Sequence, residues 1–367
     1  MHVTLAALLF LHACSSDSPT GASQPEDTFI AGVNVSQLFA PPTADEVAAI
    51  QNDWSARRSV ATDVQIVSEQ EALLGATPAI LRIISYRLDG LRLYGMVLYP
   101  QHAAESSLPV LVYTHGGDSG FSGDEFQLVV TIADDKVDQY VYVAPSYRAE
   151  PLVTDGGTFH SDGPASPWDR DVDDTIALLD ITLAQVPAAD PERVGMLGFS
   201  RGATVAMLAA IRDPRMKSVV AFFGPTDFLG EFAQTVFEDA LSGQPRELPG
   251  VDYLNENYII PLKNGEITIA DTRLEMIRRS PVYFADQLPP LQIHHGTADL
   301  TVPVSESERL IAVMDEIGRS APDFESYLYP GGTHNPLTLP GSLLRASQFL
   351  NDFFISAQAR YAIVPSR

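Results

Sequence analysis

The 367-residue sequence predicts an α/β fold, a mostly parallel sheet with helices on both faces and a cap insertion between the sixth and seventh predicted strands. Three observations carry that expectation. Short apolar, β-rich runs alternate with helical patterns, the sheet is entered through a hairpin, and one connection is far longer than a crossover helix needs.

The hairpin comes first, with runs at 81–88 and 91–99 flanking Asp89-Gly90, a dipeptide suited to a tight turn at positive φ. Further strands are expected at 110–114, 140–144, 193–197, 218–223, 291–294 and 326–329. Between them, 171–183 places Val172, Ile176, Leu179 and Leu183 on one helical face, and 202–211 is apolar nearly all round, as a buried helix should be. Residues 343–354 carry Leu343, Ala346, Leu350 and Phe353 at core spacing. The stretch from about 226 to 280 reads as a cap over the site. Together these make a main domain over 81–360.

Upstream, 31–80 is expected to be a helical extension packed on that domain, being too short for a core of its own. Thr43-Ala44-Asp45-Glu46 has the form of a capping box, and Val47, Ile50 and Trp54 follow at helical spacing. Residues 14–30 read as a tether rich in Ser, Pro, Gly and Asp. The apolar run from Leu5 to Leu11 is too short to span a bilayer but suits a signal-peptide core over 1–13. Its ending, Leu11-His12-Ala13-Cys14, resembles the lipobox of bacterial lipoproteins, which implies lipidation of Cys14 and anchoring at the cell envelope, on the periplasmic or outer-membrane side. The alternative is an ordinary secretory signal with an incidental cysteine, and both imply export.

Lys and Arg number 23 against 47 Asp and Glu, a net charge of −24. Such a surface excludes a nucleic-acid partner and electrostatic docking on anionic lipid, which leaves the anchor on Cys14 as the expected membrane link and a monomer as the expected state. One cysteine allows no internal disulfide and makes a Cys/His zinc cluster untenable, so no metal and no cofactor are expected.

The chemistry centres on Gly198-Phe199-Ser200-Arg201-Gly202, a G-x-S-x-G sequence between a predicted strand and a predicted buried helix. That context forces the Ser200 hydroxyl out above the carboxyl edge of the sheet as a nucleophile. Its base should follow in sequence. Of His294, His295 and His334, only His334 sits in a Gly-rich loop past the last strand, where an imidazole can reach the serine; His295 reads as a packed histidine. Asp299, in a tight loop just past a strand, is favoured as the orienting acid over Asp227 from loop position and chain order. The sequence His115-Gly116-Gly117 follows a strand upstream and suits an oxyanion loop, with the amide of Gly117 favoured over that of Gly116 and the amide of Arg201 as second donor.

With these residues in place, the chain from about Asp89 to Phe354 resembles the catalytic domain of the prolyl oligopeptidase family, an α/β-hydrolase group. The matching stretches include Pro145-Ser146-Tyr147-Arg148, Trp168-Asp169-Arg170-Asp171 and Ser280-Pro281-Val282-Tyr283. The run from His295 to Pro303 and Gly332-Thr333-His334 complete the ordered set. The resemblance implies Ser200, Asp299 and His334 as the triad and favours Asp299 over Asp227. This sequence departs from the family peptidases in showing no propeller repeat and in carrying Ala203 where many of them have a second glycine. Single-domain relatives in the group are often esterases. The expectation is therefore a serine hydrolase cleaving small carboxylic esters through an acyl-enzyme, the alternative being an aminopeptidase or oligopeptidase acting on short peptides. A catalytically silent binding shell would need a blocked serine, which the sequence does not show. Of the remaining polar residues, Arg148 is expected to brace a loop by pairing with Asp171 or Asp174. His160 is expected to be exposed, Arg278-Arg279 to be a solvated helix end or to meet a substrate carboxylate, and the cluster 169–174 to cap the helix that follows.

Overall fold

The computed structural model describes residues 27–57 and 60–356; the expected signal segment, Cys14 and most of the tether lie outside the described residues. The main sheet has nine strands: β1 (Thr62–Leu74), β2 (Thr77–Leu88), β3 (Leu91–Pro100), β4 (Leu108–Thr114), β5 (Val141–Ser146), β6 (Ala189–Phe199), β7 (Met216–Phe222), β8 (Leu291–Gly296) and β9 (Phe324–Tyr329). Their spatial order is β9-β8-β7-β6-β4-β5-β3-β2-β1. Neighbours among β4 to β9 pair in parallel, whereas β1–β2, β2–β3 and β3–β5 are antiparallel. The hairpin closes between Leu88 and Leu91, with Asp89 and Gly90 at φ 52° and 84°, the geometry of a type I′ turn.

Side chains alternate between two cores. Val110, Val112, Met196 and Val219 point to one, while Leu111, Tyr113, Leu197 and Val220 point to the other. Helices α1 (Ala44–Ala56), α3 (Arg170–Gln185), α4 (Arg201–Arg212) and α7 (Ser305–Glu316) feed the first, and α2 (Gly123–Ile132) and α8 (Ser342–Asn351) the second. Central strands buried on both faces are what a doubly covered parallel sheet requires.

The expected helical extension over 31–80 is corrected in its second half. A helical turn at Val35–Leu38 and the capped helix α1 are present, but Thr62–Leu74 is strand β1 at the sheet's edge. This strand is exposed along most of its length and carries polar residues on both faces, so it lacks the period-2 burial by which a strand is read. It also shifts the cap to the connection between the seventh and eighth observed strands.

The cap contains α5 (Glu231–Leu241), short turns at Val251–Leu254 and Ile260–Asn264, and α6 (Ile269–Arg278). The N-terminal segment clamps it from outside. The Arg273 guanidinium on α6 donates to the carbonyls of Leu38 and Ala40, both at 2.8 Å, and pairs with Glu46 at 2.7 Å. Hydrogen bonding from Arg273 outweighs burial and holds the Glu46 carboxyl down to about 2.

Candidate active site

The serine stands on a strained turn between β6 and α4. Ser200 has φ 54° and ψ −123°, a conformation that an L-residue holds only when its surroundings impose it. Both flanking glycines are obligatory. A Cβ on Gly198 would lie 2.2 Å from the Gly202 carbonyl oxygen, and one on Gly202 would lie 1.9 Å from that of Thr114. Strand β4 and the start of α4 are thus in backbone contact, which brings the loop after β4 beside the serine.

Loops leaving β8 and β9 supply the partners. His334 Nε2 accepts from Ser200 Oγ at 2.9 Å, and Nδ1 donates to Asp299 Oδ2 at 2.7 Å. Asp299 Oδ1 accepts the amides of Thr301 at 2.9 Å and Val302 at 3.0 Å, which fixes the carboxylate plane. Burial would raise this carboxyl, but hydrogen bonds from His295, His334 and the Val302 amide hold it well below the usual carboxylate range. Gly296 lets the two loops touch, since a Cβ there would sit 2.2 Å from Gly332. The ring of Phe223 lies 4.4 Å from the His334 imidazole. His295 is buried between Ser307 Oγ at 2.7 Å and the Val302 carbonyl at 2.9 Å. Asp227 lies apart from His334 and binds the Leu229 amide, Tyr283 and Arg309.

Gly116 and Gly117 approach the serine from β4. A Cβ on Gly116 would meet Ser200 Cβ at 3.1 Å and the Phe199 carbonyl at 2.9 Å, and Gly117 adopts φ 70°. Among the described residues, the amides of Gly117 and Arg201 donate to no protein acceptor, which leaves both available to an oxyanion at Ser200. The Arg201 side chain serves this loop differently from its amide. Its buried guanidinium pairs with both oxygens of Asp171 at 2.8 Å and with Glu150 at 2.6 Å, lies over Tyr147, and donates to the Gly117 carbonyl at 2.9 Å. Arg148 pairs with Asp174 at 2.5 Å and leaves Asp171 to Arg201. Glu150 was not foreseen. The signal for it was an arginine opening an otherwise apolar helix, because a buried guanidinium requires carboxylate partners.

A cavity of about 60 Å³ opens beside Ser200, walled by Trp168, Phe228, Phe232, Val236, Phe237 and Leu254. Most of that wall comes from the cap. A serine hydroxyl, an imidazole and a carboxylate in hydrogen-bond sequence, with two free backbone amides beside an apolar recess, are an arrangement chemically able to carry out acyl transfer through a covalent intermediate.

The profile of the prolyl oligopeptidase family matches residues 125–357, well over half of the chain. The chain belongs to the prolyl oligopeptidase family. Among curated members and relatives, the isoprenylcysteine alpha-carbonyl methylesterase of Arabidopsis thaliana is 25% identical over 185 residues, 46% of this chain and 39% of that protein. An uncharacterised peptidase of Bacillus subtilis, YuxL, is 22% identical over 67% of this chain and 34% of its own length. The chain thus spans only a third to two fifths of these curated relatives. Among solved structures, acetyl xylan esterase 1 from Thermoanaerobacterium sp. JW/SL YS485 superposes with a TM-score of 0.59 at 17% identity, covering 88% of this chain and 99% of that one. The acylaminoacyl peptidase of Pyrococcus horikoshii superposes at 0.50 with 17% identity, over 79% of this chain and 49% of its own. These superpositions establish the α/β-hydrolase fold.

In this prolyl oligopeptidase family member the remaining polar residues are structural. His160 is exposed on a hairpin strand, Gly157–His160. Arg278 and Arg279 are buried rather than solvated: Arg279 lies against the Pro167 carbonyl, Glu275 and Tyr258, and Arg278 pairs with Asp53 and Glu275. Asp169 lies at the N-terminus of α3 without a side-chain capping bond and pairs instead with Arg57 at 2.6 Å. Among the described residues no group of His, Cys, Asp or Glu is arranged to hold a metal.

Proposed function

We propose that this serine hydrolase cleaves small carboxylic esters. Ser200 attacks the ester carbonyl while His334 takes its proton and returns it to the leaving alcohol. Asp299 fixes the imidazole tautomer and stabilises the imidazolium. The amides of Gly117 and Arg201 receive the oxyanion, each worth roughly 3–4 kcal/mol in comparable enzymes. Water then repeats the cycle and releases the acid.

The observation that carries the ester reading is the pocket. It is small, apolar and capped, and its two carboxyl groups are occupied. Asp227 is bound by Leu229, Tyr283 and Arg309, and Glu306 accepts the amides of Thr226 and Asp227. Burial also pushes Glu306 up to about 7. Neither carboxyl is placed to pair with a peptide's charged amino terminus. Acetyl xylan esterases are among the solved structures that share this fold, which supports the same choice. Family membership favours peptide hydrolysis as the second reading.

The test compares p-nitrophenyl acetate with an aminoacyl p-nitroanilide, with Ser200→Ala as control. Ester turnover abolished in the variant, without anilide turnover, is the expected result, whereas comparable anilide turnover would make the peptidase reading correct. Export as a monomeric lipoprotein belongs to the same proposal. Radiolabelled palmitate should enter the protein in bacteria and be lost in Cys14→Ser; incorporation that survives the substitution would refute lipidation there.

A further inference from the structure

Behind the oxyanion loop lies a buried polar cluster that the acyl-transfer steps do not use. His115 is fully buried, stacked on Tyr147 at 4.1 Å and near Phe121 at 5.7 Å. Its Nδ1 donates to the Gly116 carbonyl at 3.0 Å, so its Nε2 is left as a bare acceptor. That Nε2 faces Glu150 Oε2 at 3.7 Å, and neither atom has a hydrogen-bond partner among the described residues. The separation is too short for an intervening water and roughly 1 Å longer than a hydrogen bond, a gap that a small turn of the carboxyl closes. The other Glu150 oxygen accepts from Arg201 Nη1 at 2.6 Å, and the same nitrogen donates to the Gly117 carbonyl. One carboxyl therefore joins the two clamps on the loop, His115 on Gly116 and Arg201 on Gly117.

Charge balance decides how that carboxyl is protonated. Arg201 is already neutralised by the bidentate Asp171. A second carboxylate would leave the buried cluster with an excess negative charge and aim its lone pairs at the lone pair of Nε2. A proton on Oε2 removes both penalties. We propose that Glu150 carries a proton on Oε2, donates it in a hydrogen bond to His115 Nε2, and so acts as a positioning residue that sets the Gly116–Gly117 loop for the oxyanion. The inference rests on the reading of Ser200 as an acyl-transfer nucleophile.

The surroundings agree. Burial pushes Glu150 up to about 7 against the pull of Arg201, with Asp171 and Asp118 adding to the rise. Burial, aided by Arg201, pushes His115 down to about 3, so the imidazole stays neutral. Tyr147, the remaining titratable group against the cluster, is kept un-ionised by burial. When Glu150 loses its proton to solvent, the His115 proton is drawn from Nδ1 to Nε2, and the Gly116 carbonyl loses its donor. The turnover number should then fall as pH rises through the Glu150 titration.

The test measures kcat and KM for p-nitrophenyl acetate from pH 5.5 to 9 in the wild type, Glu150→Gln and Glu150→Leu, with infrared difference spectra between wild type and Glu150→Gln. Glutamine mimics the protonated acid, because its oxygen accepts from Arg201 and its amide donates to Nε2. It should keep kcat within about threefold of the wild type on the acid side and lack the alkaline fall. Leucine should lose about 10²-fold in kcat with KM little changed, the scale of a misplaced catalytic group. The wild type should show a protonated-carboxyl band at pH 6 that Glu150→Gln lacks and that bleaches above pH 7. A glutamine variant as poor as the leucine variant, or a wild type without the band, would overturn the proposal. If Glu150→Leu does not fold, the other two measurements decide. Absence of wild-type ester turnover would instead sink the esterase reading, and the infrared band would still locate the proton.

Discussion

Replacing Asp299 by Asn isolates what the carboxylate does for His334. Oδ1 accepts the amides of Thr301 and Val302, while Oδ2 faces His334 Nδ1 at 2.7 Å and His295 Nε2 at 3.4 Å. An asparagine must keep its carbonyl oxygen on the two amides, because its NH2 group cannot accept from them. The NH2 group is then presented to His334 Nδ1. A donor at that position drives the imidazole proton to Nε2, so Ser200 Oγ, 2.9 Å away, meets an N–H where it needs a lone pair. The imidazolium formed in the transition state also loses its counter-charge. Together these should lower kcat by about 10⁴, or roughly 5 kcal/mol. KM should stay within about threefold, since Asp299 does not line the cavity beside Ser200. The assay is steady-state hydrolysis of p-nitrophenyl acetate at pH 8, with a thermal melt to establish that the variant is folded. A folded variant retaining kcat within tenfold of the wild type would refute the tautomer argument.

Gly202→Ala should destabilise the fold by about 3 kcal/mol, the upper end for overpacking, because the new methyl meets backbone at 1.9 Å; an unchanged urea midpoint would contradict this. Phe232→Ala should enlarge the recess and shift preference toward longer acyl chains by about tenfold or more, read as kcat/KM for p-nitrophenyl acetate against butyrate and hexanoate. Burial, with Arg345 nearby, holds His294 down to about 3, below its unfolded value near 6.5. The folded protein therefore binds fewer protons between those values, and this residue's contribution to stability is lost as pH falls from about 6.5 toward 3. The urea midpoint should fall less steeply over that window in His294→Gln than in the wild type, and equal slopes would remove His294 from the acid response.

The central strands and the loops that bring Ser200, Asp299 and His334 together were legible in the sequence because their physics is local. Val110, Val112 and Val143 are buried on a doubly covered sheet and read as apolar runs, and the Gly198 and Gly202 contacts leave no other residue type at the elbow. Strand β1 was not legible. Its residues are half-solvated on both faces, and its place is set by pairing with β2, from Gln65 against Ser85 to Leu74 against Thr77. The Glu150–Arg201–Asp171 cluster was hidden for another reason. Its members lie 51 and 30 residues from Arg201 along the chain, and only the fold brings them together. The pairing of Arg148 was visible as a choice between Asp171 and Asp174. It was resolved by the claim that Arg201 has on Asp171.

The central claim is that Ser200 forms a covalent acyl-enzyme activated by His334. The measurement that tests it most directly is active-site labelling with a fluorophosphonate, followed by digestion and mass-spectrometric mapping in the wild type, Ser200→Ala and His334→Ala. One adduct per chain on the peptide carrying Ser200, absent in Ser200→Ala and slowed by orders of magnitude in His334→Ala, is the predicted result. An unlabelled Ser200 in folded protein, an adduct on another residue, or labelling unaffected by His334→Ala would contradict the account.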